Sequence, residues 1–479
     1  MDATRGLPGV TIVGLPDQTV KEARERVRAA IVNSQFHLTS QRLTVNLAPA
    51  DLKKEGGIFD LAIALGILAA SEQVDPARLA SVAVLGELAL DGGVRPVHGV
   101  LPIALALSHT TRALLVPQGN AAEAAAVHGT TVIPVRCLAD AVAHLAGTRL
   151  IPAWKRAATR PRAPRASDDV DFADVKGHAH VKRALLVAAA GGHHLLLIGP
   201  PGCGKTMLAQ RIPTILPPLS RDESLDVTKI ASVAGLLRDQ GLVRRRPFRA
   251  PHHTSSAAAL IGGGSTPAPG EISLAHHGVL MLDELPEFRR DVLESLRQPL
   301  EEGAVRIARA KCTLTFPARF LLAAAMNPCP CGYLTDPARR CRCHALQIQR
   351  YLAKISGPLL DRIDLHVDVP AVPFEALTQA PDGDTSAHLR TQVQRAMAFR
   401  RTRGQTQPNA QLRTKGLKTH CQMTSDVISL LKSAMHELHF SARSYTKILK
   451  ISRTIADLAG AATIEAPHIA EAIQYRSLD

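Results

Sequence analysis

Leu195-Leu196-Leu197-Ile198-Gly199-Pro200-Pro201-Gly202-Cys203-Gly204-Lys205-Thr206 is the stretch that decides the fold. Four consecutive apolar residues read as a buried strand, the Gly/Pro-rich run as a tight turn, and the residues from Lys205 onward as a helix. Backbone N–H groups can wrap a phosphate only where side chains do not intrude, which accounts for Gly199, Gly202 and Gly204. Lys205 would neutralise β- and γ-phosphate oxygens, and the Thr206 hydroxyl would hold Mg²⁺. Residues 199–206 are therefore the candidate nucleotide-binding loop.

Two apolar strands further along complete the pattern. Gly278-Val279-Leu280-Met281-Leu282-Asp283-Glu284 ends in adjacent acids about 80 residues after the loop. A buried strand delivers its last carboxylates to the C-terminal edge of a sheet, where phosphates would sit. Asp283 is the candidate second Mg²⁺ residue, and Glu284 the candidate general base for an attacking water. Leu321–Met326 ends in Asn327, whose amide can hydrogen-bond both a γ-phosphate and that water. Arg362, in Gly357-Pro358-Leu359-Leu360-Asp361-Arg362-Ile363-Asp364-Leu365, and Arg443, at the head of a predicted helix over 444–458, are candidate cations for the transferred phosphate. An ordinary ion pair of Arg362 with Asp361 or Asp364 is the competing reading.

The chain has 479 residues, enough for about three domains. With 57 Lys+Arg against 42 Asp+Glu, the net charge of +15 favours a polyanionic partner. Aromatic residues make up only 3%, which argues against a surface that grips single strands mainly by base stacking. No apolar run reaches membrane-spanning length and Met1–Arg5 lacks a signal-peptide layout, so a cytoplasmic protein without membrane partners is expected. In that setting the 8 cysteines are thiols or metal ligands.

Residues 1–150 alternate strand and helix patterns: strands at Thr11–Val13 and Arg42–Leu47, helices over 21–31 and 59–70, and a hairpin formed by Val82–Leu90 and Val94–Val97. Residues 151–170, with Lys155, Arg156, Arg160, Arg162 and Arg165 among prolines and alanines, read as a basic linker, either a solvated spacer or a DNA-contacting arm. The phosphate-loop domain runs over 171–370. Beyond a Pro/Asp/Gly-rich spacer, 387–479 is helical, with Ile428, Leu431, Met435 and Leu438 on one predicted apolar stripe and Ile448, Ile451, Ile455 and Leu458 on another.

This order of motifs is that of an AAA+ ATPase. Arg246-Pro247-Phe248-Arg249-Ala250-Pro251-His252-His253-Thr254, Ile272–Gly278, Asn327-Pro328-Cys329-Pro330-Cys331-Gly332 and Ser356–Leu365 resemble the YifB/ComM family of magnesium-chelatase-like AAA+ proteins, over nearly the whole chain. The resemblance implies an α/β AAA+ core with a C-terminal helical lid, and ATP and Mg²⁺ as cofactors. It also implies a homo-hexameric ring with nucleotide at subunit interfaces. Asn327 is then similar to the first sensor, Arg443 to the second sensor in the lid, and Arg362 to an arginine finger reaching the neighbour's γ-phosphate. ComM members are DNA helicases that drive branch migration in natural transformation, so a sequence-independent motor on branched or forked DNA is the leading expectation. A chelatase-like remodeller of a protein partner, or an aid to metal insertion, is the alternative.

Glu302–Phe316 reads as a hairpin carrying Arg306, Arg309 and Lys311. In the resembling ring ATPases a hairpin here projects into the pore, and Arg309 falls where MCM helicases carry a lysine, which makes these three the candidate DNA contacts. A surface hairpin with solvated charges is the plainer reading. The first domain resembles the Lon-protease-like, ribosomal protein S5 domain 2-like α+β fold through Lys53–Asp60 and Leu85–Val97. Lys53–Asp60 has no serine and Gly99–Leu107 no lysine, so no peptidase activity is expected. Family members usually begin with a further strand or two before the segment matching Gly6–Asp17.

Cys329-x-Cys331 and Cys341-x-Cys343 could close a tetrahedral structural Zn²⁺ site or remain reduced thiols. His252-His253 and His276-His277, if on strands, would point to opposite faces and serve packing or polarity and not ligation.

Overall fold

The computed structural model describes the chain except residues 5–8, 15–17, 39–40, 50–53, 55, 111–112, 156–169, 238–240, 265–266, 310–311, 337–338, 373–383 and 477–479, and except the side chains of Asp2, Ala3, Gln18, Thr19, Lys21, Arg309 and Cys312. Most of the basic linker, Lys53, Glu55 and Lys311 thus lie outside the described residues. Among the described residues no helix is long and apolar enough to cross a membrane. The chain forms two compact units: residues 1–163 with 224–243, and residues 164–223 with 244–479.

The second unit is built on five parallel strands in the order Phe248–Arg249, Val279–Leu282, Leu321–Met326, Leu195–Ile198, Leu365–Asp368. The three central strands are continuously apolar because both faces of the sheet are covered there. Leu195, Leu197, Val279, Met281, Ala323 and Ala325 enter one apolar cluster, and Leu196, Ile198, Leu280, Leu282, Leu322 and Ala324 the other. Helices Ala179–Gly191, Lys205–Ile215, Ser386–Thr402 and Ala442–Ala459 fill the first cluster. The other face takes Val292, Leu293 and Leu296, together with Val305 and Ile307 from the hairpin Ala304–Arg309/Cys312–Pro317.

The C-terminal helices bury Ile448, Ile451 and Ile455 as their spacing implies. In Ser425–Glu437, however, Val427 and Leu431 are the buried pair, while Ile428 and Leu438 are 51% and 49% exposed. The expected Leu431 and Met435 do pack on the core, but Val427 replaces Ile428, because residues spaced i, i+4, i+8 share the packed face.

The first unit has two three-stranded sheets. One joins Asp2–Thr4, Arg42–Asn46 and Gly9–Val13; the other joins Val82–Val84, Ala113–Pro117 and Thr131–Val135 in parallel. The expected long hairpin is shorter: only Glu87–Leu88 pairs with Val94–Arg95, and Val82–Val84 belongs to the parallel sheet. The break falls at Gly86, whose φ of 154° and 2.8 Å approach of a would-be Cβ to Val94 Cγ1 disfavour any side chain. Helix Asp60–Ala70 is apolar throughout except Asp60, which is buried and bound to Arg26 by two hydrogen bonds of 3.0 and 3.3 Å.

Candidate functional site

Strand register assembles the site. Leu282 pairs with Ala324 and Met326 with Ile198, so Asp283, Asn327 and the loop after Ile198 emerge together at the C-terminal edge of the sheet. Gly199 packs its backbone against the next strand, where a Cβ would lie 2.1 Å from the Val369 carbonyl oxygen. Gly202 and Gly204 have φ of 79° and 88°, the left-handed turn that aims successive N–H groups into the loop. Helix Lys205–Ile215 begins there, with its N-terminus facing the cavity.

That cavity, of about 410 Å³, is lined by Gly202, Lys205, Thr206, Asp283, Glu284 and Asn327 among others. Lys205 Nζ donates to the carbonyl oxygens of Gly199 at 2.8 Å and Pro200 at 2.9 Å, and to Asn327 Oδ1 at 3.2 Å. The Thr206 hydroxyl donates to Asp283 Oδ2 at 2.5 Å. Hydroxyl and carboxylate are thus adjacent, as a shared Mg²⁺ with its water shell requires, and the side-chain-free space over Gly202 suits a polyphosphate. Asp283 Oδ1 also accepts the Glu284 N–H at 2.9 Å. Glu284 sits in the left-handed region, φ 52°, and its carboxylate is 55% exposed at the cavity mouth.

His253 was not assigned to this site by its sequence. Its Nδ1 lies 3.2 Å from Glu284 Oε2, and its ring packs edge-on to Phe288. His252 and His253 occupy a turn and not a strand, so their ring centroids lie 4.1 Å apart, tilted by 34°, instead of pointing to opposite faces. His276 and His277 likewise bring their rings to 4.0 Å in a turn, tilted by 48°, with His276 Nδ1 accepting the Arg319 N–H at 2.9 Å. The signal for His253 was positional: it follows Phe248–Arg249, the strand paired with Val279–Leu282.

The two candidate arginines lie elsewhere. Arg362 lines a separate cavity of about 450 Å³, shared with Glu301, Arg319, Asp364 and Arg413, and not the nucleotide-loop cavity. It pairs with Glu301, a partner that neither Asp361 nor Asp364 provides. Asp361 instead pairs with Arg443 at 2.8 Å, so both guanidiniums stand at one edge of the domain. Asp364 is buried between His193 Nδ1, at 3.0 Å, and Lys447 Nζ, at 3.6 Å. Burial alone would raise its pKa, but the His193 hydrogen bond and the charges of His193 and Lys447 outweigh it and leave the carboxyl well below its usual range. His193 Nε2 reaches Thr454 Oγ1 at 2.8 Å, tying the Arg362 loop to the helix that carries Arg443.

Cys329, Cys331, Cys341 and Cys343 converge, with all four sulfur atoms within 4.8 Å of one another. Sγ separations of 3.4, 3.6 and 3.7 Å approach the edge of about 3.8 Å that a tetrahedron with Zn–S near 2.3 Å requires. Backbone N–H groups of Arg342 and Tyr333 aimed at Cys331 bring its thiol pKa down to about 6, whereas Cys341 and Cys343, beside the other sulfur atoms, are shifted upward, so without a metal the first thiolate forms at Cys331. The donor set fits Zn²⁺. The cluster adjoins Tyr351, whose hydroxyl bonds to the Asn327 backbone and whose pKa burial pushes up to about 12.

In the hairpin, Arg306 lies opposite Thr315 with its side chain 60% exposed, while Val305 and Ile307 face the core. Of Arg309 only the backbone is described.

Comparison with known families agrees with this geometry. Residues 171–377 match the family "Magnesium chelatase, subunit ChlI", residues 1–120 "Subunit ChlI of Mg-chelatase", and residues 383–476 "Magnesium chelatase, subunit ChlI C-terminal". The chain is 46% identical to Competence protein ComM of Haemophilus influenzae, over 99% of this chain and 93% of that protein. It is 44% identical to the uncharacterized protein YifB of Salmonella typhimurium over the same shares. A more distant match, 23% identical over 41% of this chain and 26% of the relative, is DNA replication licensing factor MCM7 of Arabidopsis thaliana. With its doubly covered parallel sheet and helical C-terminal region, the chain belongs to the YifB/ComM family of magnesium-chelatase-like AAA+ proteins.

Proposed function

We propose that this protein is an ATP-hydrolysing, ring-forming DNA motor whose catalytic site is completed by a second copy of the chain. The observation that carries the reading is the separation of parts: Lys205, Thr206, Asp283, Glu284 and Asn327 share one cavity, and Arg362 and Arg443 share a different edge. The loop N–H groups and Lys205 hold the triphosphate. Mg²⁺ beside Thr206 and Asp283 supplies positive charge to its oxygens. Glu284 accepts the proton of the attacking water, and Asn327 orients that water. Arg362 and Arg443 stabilise the transition state in the neighbouring protomer. Zinc held by the four cysteines braces the segment bearing Asn327.

DNA is the proposed partner, gripped by Arg306, Arg309 and Lys311 through phosphate contacts that ignore sequence. The +15 charge and the distant likeness to a replication factor support this. Branch migration during recombination or natural transformation is the sharpest form, favoured by the likeness to a competence protein. The first unit, a Lon-protease-like domain without peptidase chemistry, serves docking. The family match also supports a second reading, a chelatase-type remodeller of a protein partner.

The test is ATPase rate per chain against protein concentration, with and without forked DNA, beside strand displacement. The motor reading expects a rate that rises with assembly, DNA stimulation, and displacement of the labelled strand. Arg306→Ala should weaken DNA binding uniformly across sequences and lower the salt slope by about 1. A rate per chain independent of concentration and of DNA would contradict the proposal.

A further inference from the structure

Arg362 is already engaged within its own chain. Nη2 donates to Glu301 Oε1, and Nη1 donates to the Pro358 carbonyl oxygen at 2.5 Å. The side chain is 17% exposed, and its Nε is buried without a hydrogen-bond partner. Glu301, 60% exposed, lies in the last turn of helix Arg297–Glu302. The next residue, Glu302, pairs with Arg306 at 3.3 Å. Gly303, with φ 65°, then turns the chain directly into the hairpin strand Ala304–Arg309, and its carbonyl accepts the Ala318 N–H at 2.8 Å to close the hairpin base.

Two consecutive carboxylates on one helical turn therefore hold the guanidinium assigned above to catalysis and a guanidinium assigned above to DNA. The Glu301 and Glu302 carboxylates are 60% and 42% exposed, so water and salt reach both pairs from the acid side even though Arg362 itself is mostly buried. Such contacts yield to a competitor of higher charge density, and phosphate is that competitor on both sides.

We propose that Glu301 is a positioning residue for Arg362: it retains the guanidinium until DNA phosphates draw Arg306 from Glu302, which loosens the shared helical turn and frees Arg362 for the neighbouring protomer's triphosphate. The inference rests on the reading of Arg362 and of the hairpin given above. It makes this turn the mechanical link between DNA contact and hydrolysis.

The experiment measures ATPase activity of the full chain at assembling concentration, with and without forked DNA, for wild type, Glu301→Gln, Glu302→Gln and Arg362→Ala. Glu301→Gln should raise kcat without DNA by about two- to fivefold, the scale an exposed ion pair supports, and leave the DNA-stimulated rate near wild type, so the stimulation ratio falls. Glu302→Gln should raise the DNA-free rate less and lower the DNA concentration for half-stimulation. Glu301→Asp, which keeps the charge on a shorter arm, should fall between wild type and Glu301→Gln. A DNA-free rate in Glu301→Gln equal to or below wild type, with an unchanged melting temperature, would overturn the proposal. If Arg362→Ala is inactive in that same experiment, only the link through Glu301 fails; if Arg362→Ala retains full turnover, the assignment of Arg362 itself fails.

Discussion

The nucleotide-loop cavity and the Arg362 edge are held together by different means. In the cavity, strand register and glycine turns fix the backbone, and side chains bond to one another at short range: Lys205 to Asn327, Thr206 to Asp283. At the Arg362 edge, the positions depend on side-chain ion pairs, Arg362 with Glu301 and Arg443 with Asp361, whose carboxylates are 60% and 36% exposed. The first arrangement is complete in one chain. The second rests on carboxylates open to solvent, and under the proposal above its arginines exchange these partners for a triphosphate. The difference teaches that the loop cavity is fixed by the backbone, whereas the Arg362 edge is held by side-chain ion pairs that can be replaced.

The comparison predicts unequal responses to mutation. The largest belongs to the cavity: Glu284→Gln should retain ATP binding but slow hydrolysis by about 10²–10⁴-fold, measured by nucleotide binding beside steady-state turnover. Equal loss of both would remove Glu284 from the general-base role. Next is the cysteine cluster beside Asn327. Purified protein should contain about one zinc per chain, and chelation should lower the melting temperature and kcat together; metal content well below one would leave four thiols without a ligand role. The smallest effect concerns the buried anchor of the Arg362 edge. The depressed pKa of Asp364 means its contribution to stability is present above the usual carboxylate range and lost as pH falls through it. Asp364→Asn should therefore cost about 2 kcal/mol near neutral pH, and this difference should shrink below about pH 4, as denaturant melts at several pH values would reveal. A pH-independent difference would assign the effect to packing.

The nucleotide loop, the acidic strand and the Asn327 strand were legible in the sequence because a buried parallel strand is a contiguous apolar run, and its polar terminus falls at the sheet edge. The convergence of four cysteines followed from their spacing. His253 was not legible, because its position follows from a strand of only two residues, Phe248–Arg249, paired to one far along the chain. Nor was Glu301 as the partner of Arg362, since a surface ion pair between residues 61 apart leaves no periodic trace. On Ser425–Glu437 the expected Leu431 and Met435 do face the core, but Val427 takes the place of Ile428 because the two are equally apolar and only tertiary contact chooses between them.

Complementation in mixed assemblies tests the split site most directly. Arg362→Ala and Lys205→Ala chains should each be inactive alone, the first lacking the cation it gives, the second the site that receives it. Mixed under conditions where they co-assemble, a Lys205-intact pocket meets an Arg362-intact neighbour, and ATP turnover should return in proportion to such junctions. Turnover that stays absent in demonstrably mixed complexes would contradict a site shared between protomers.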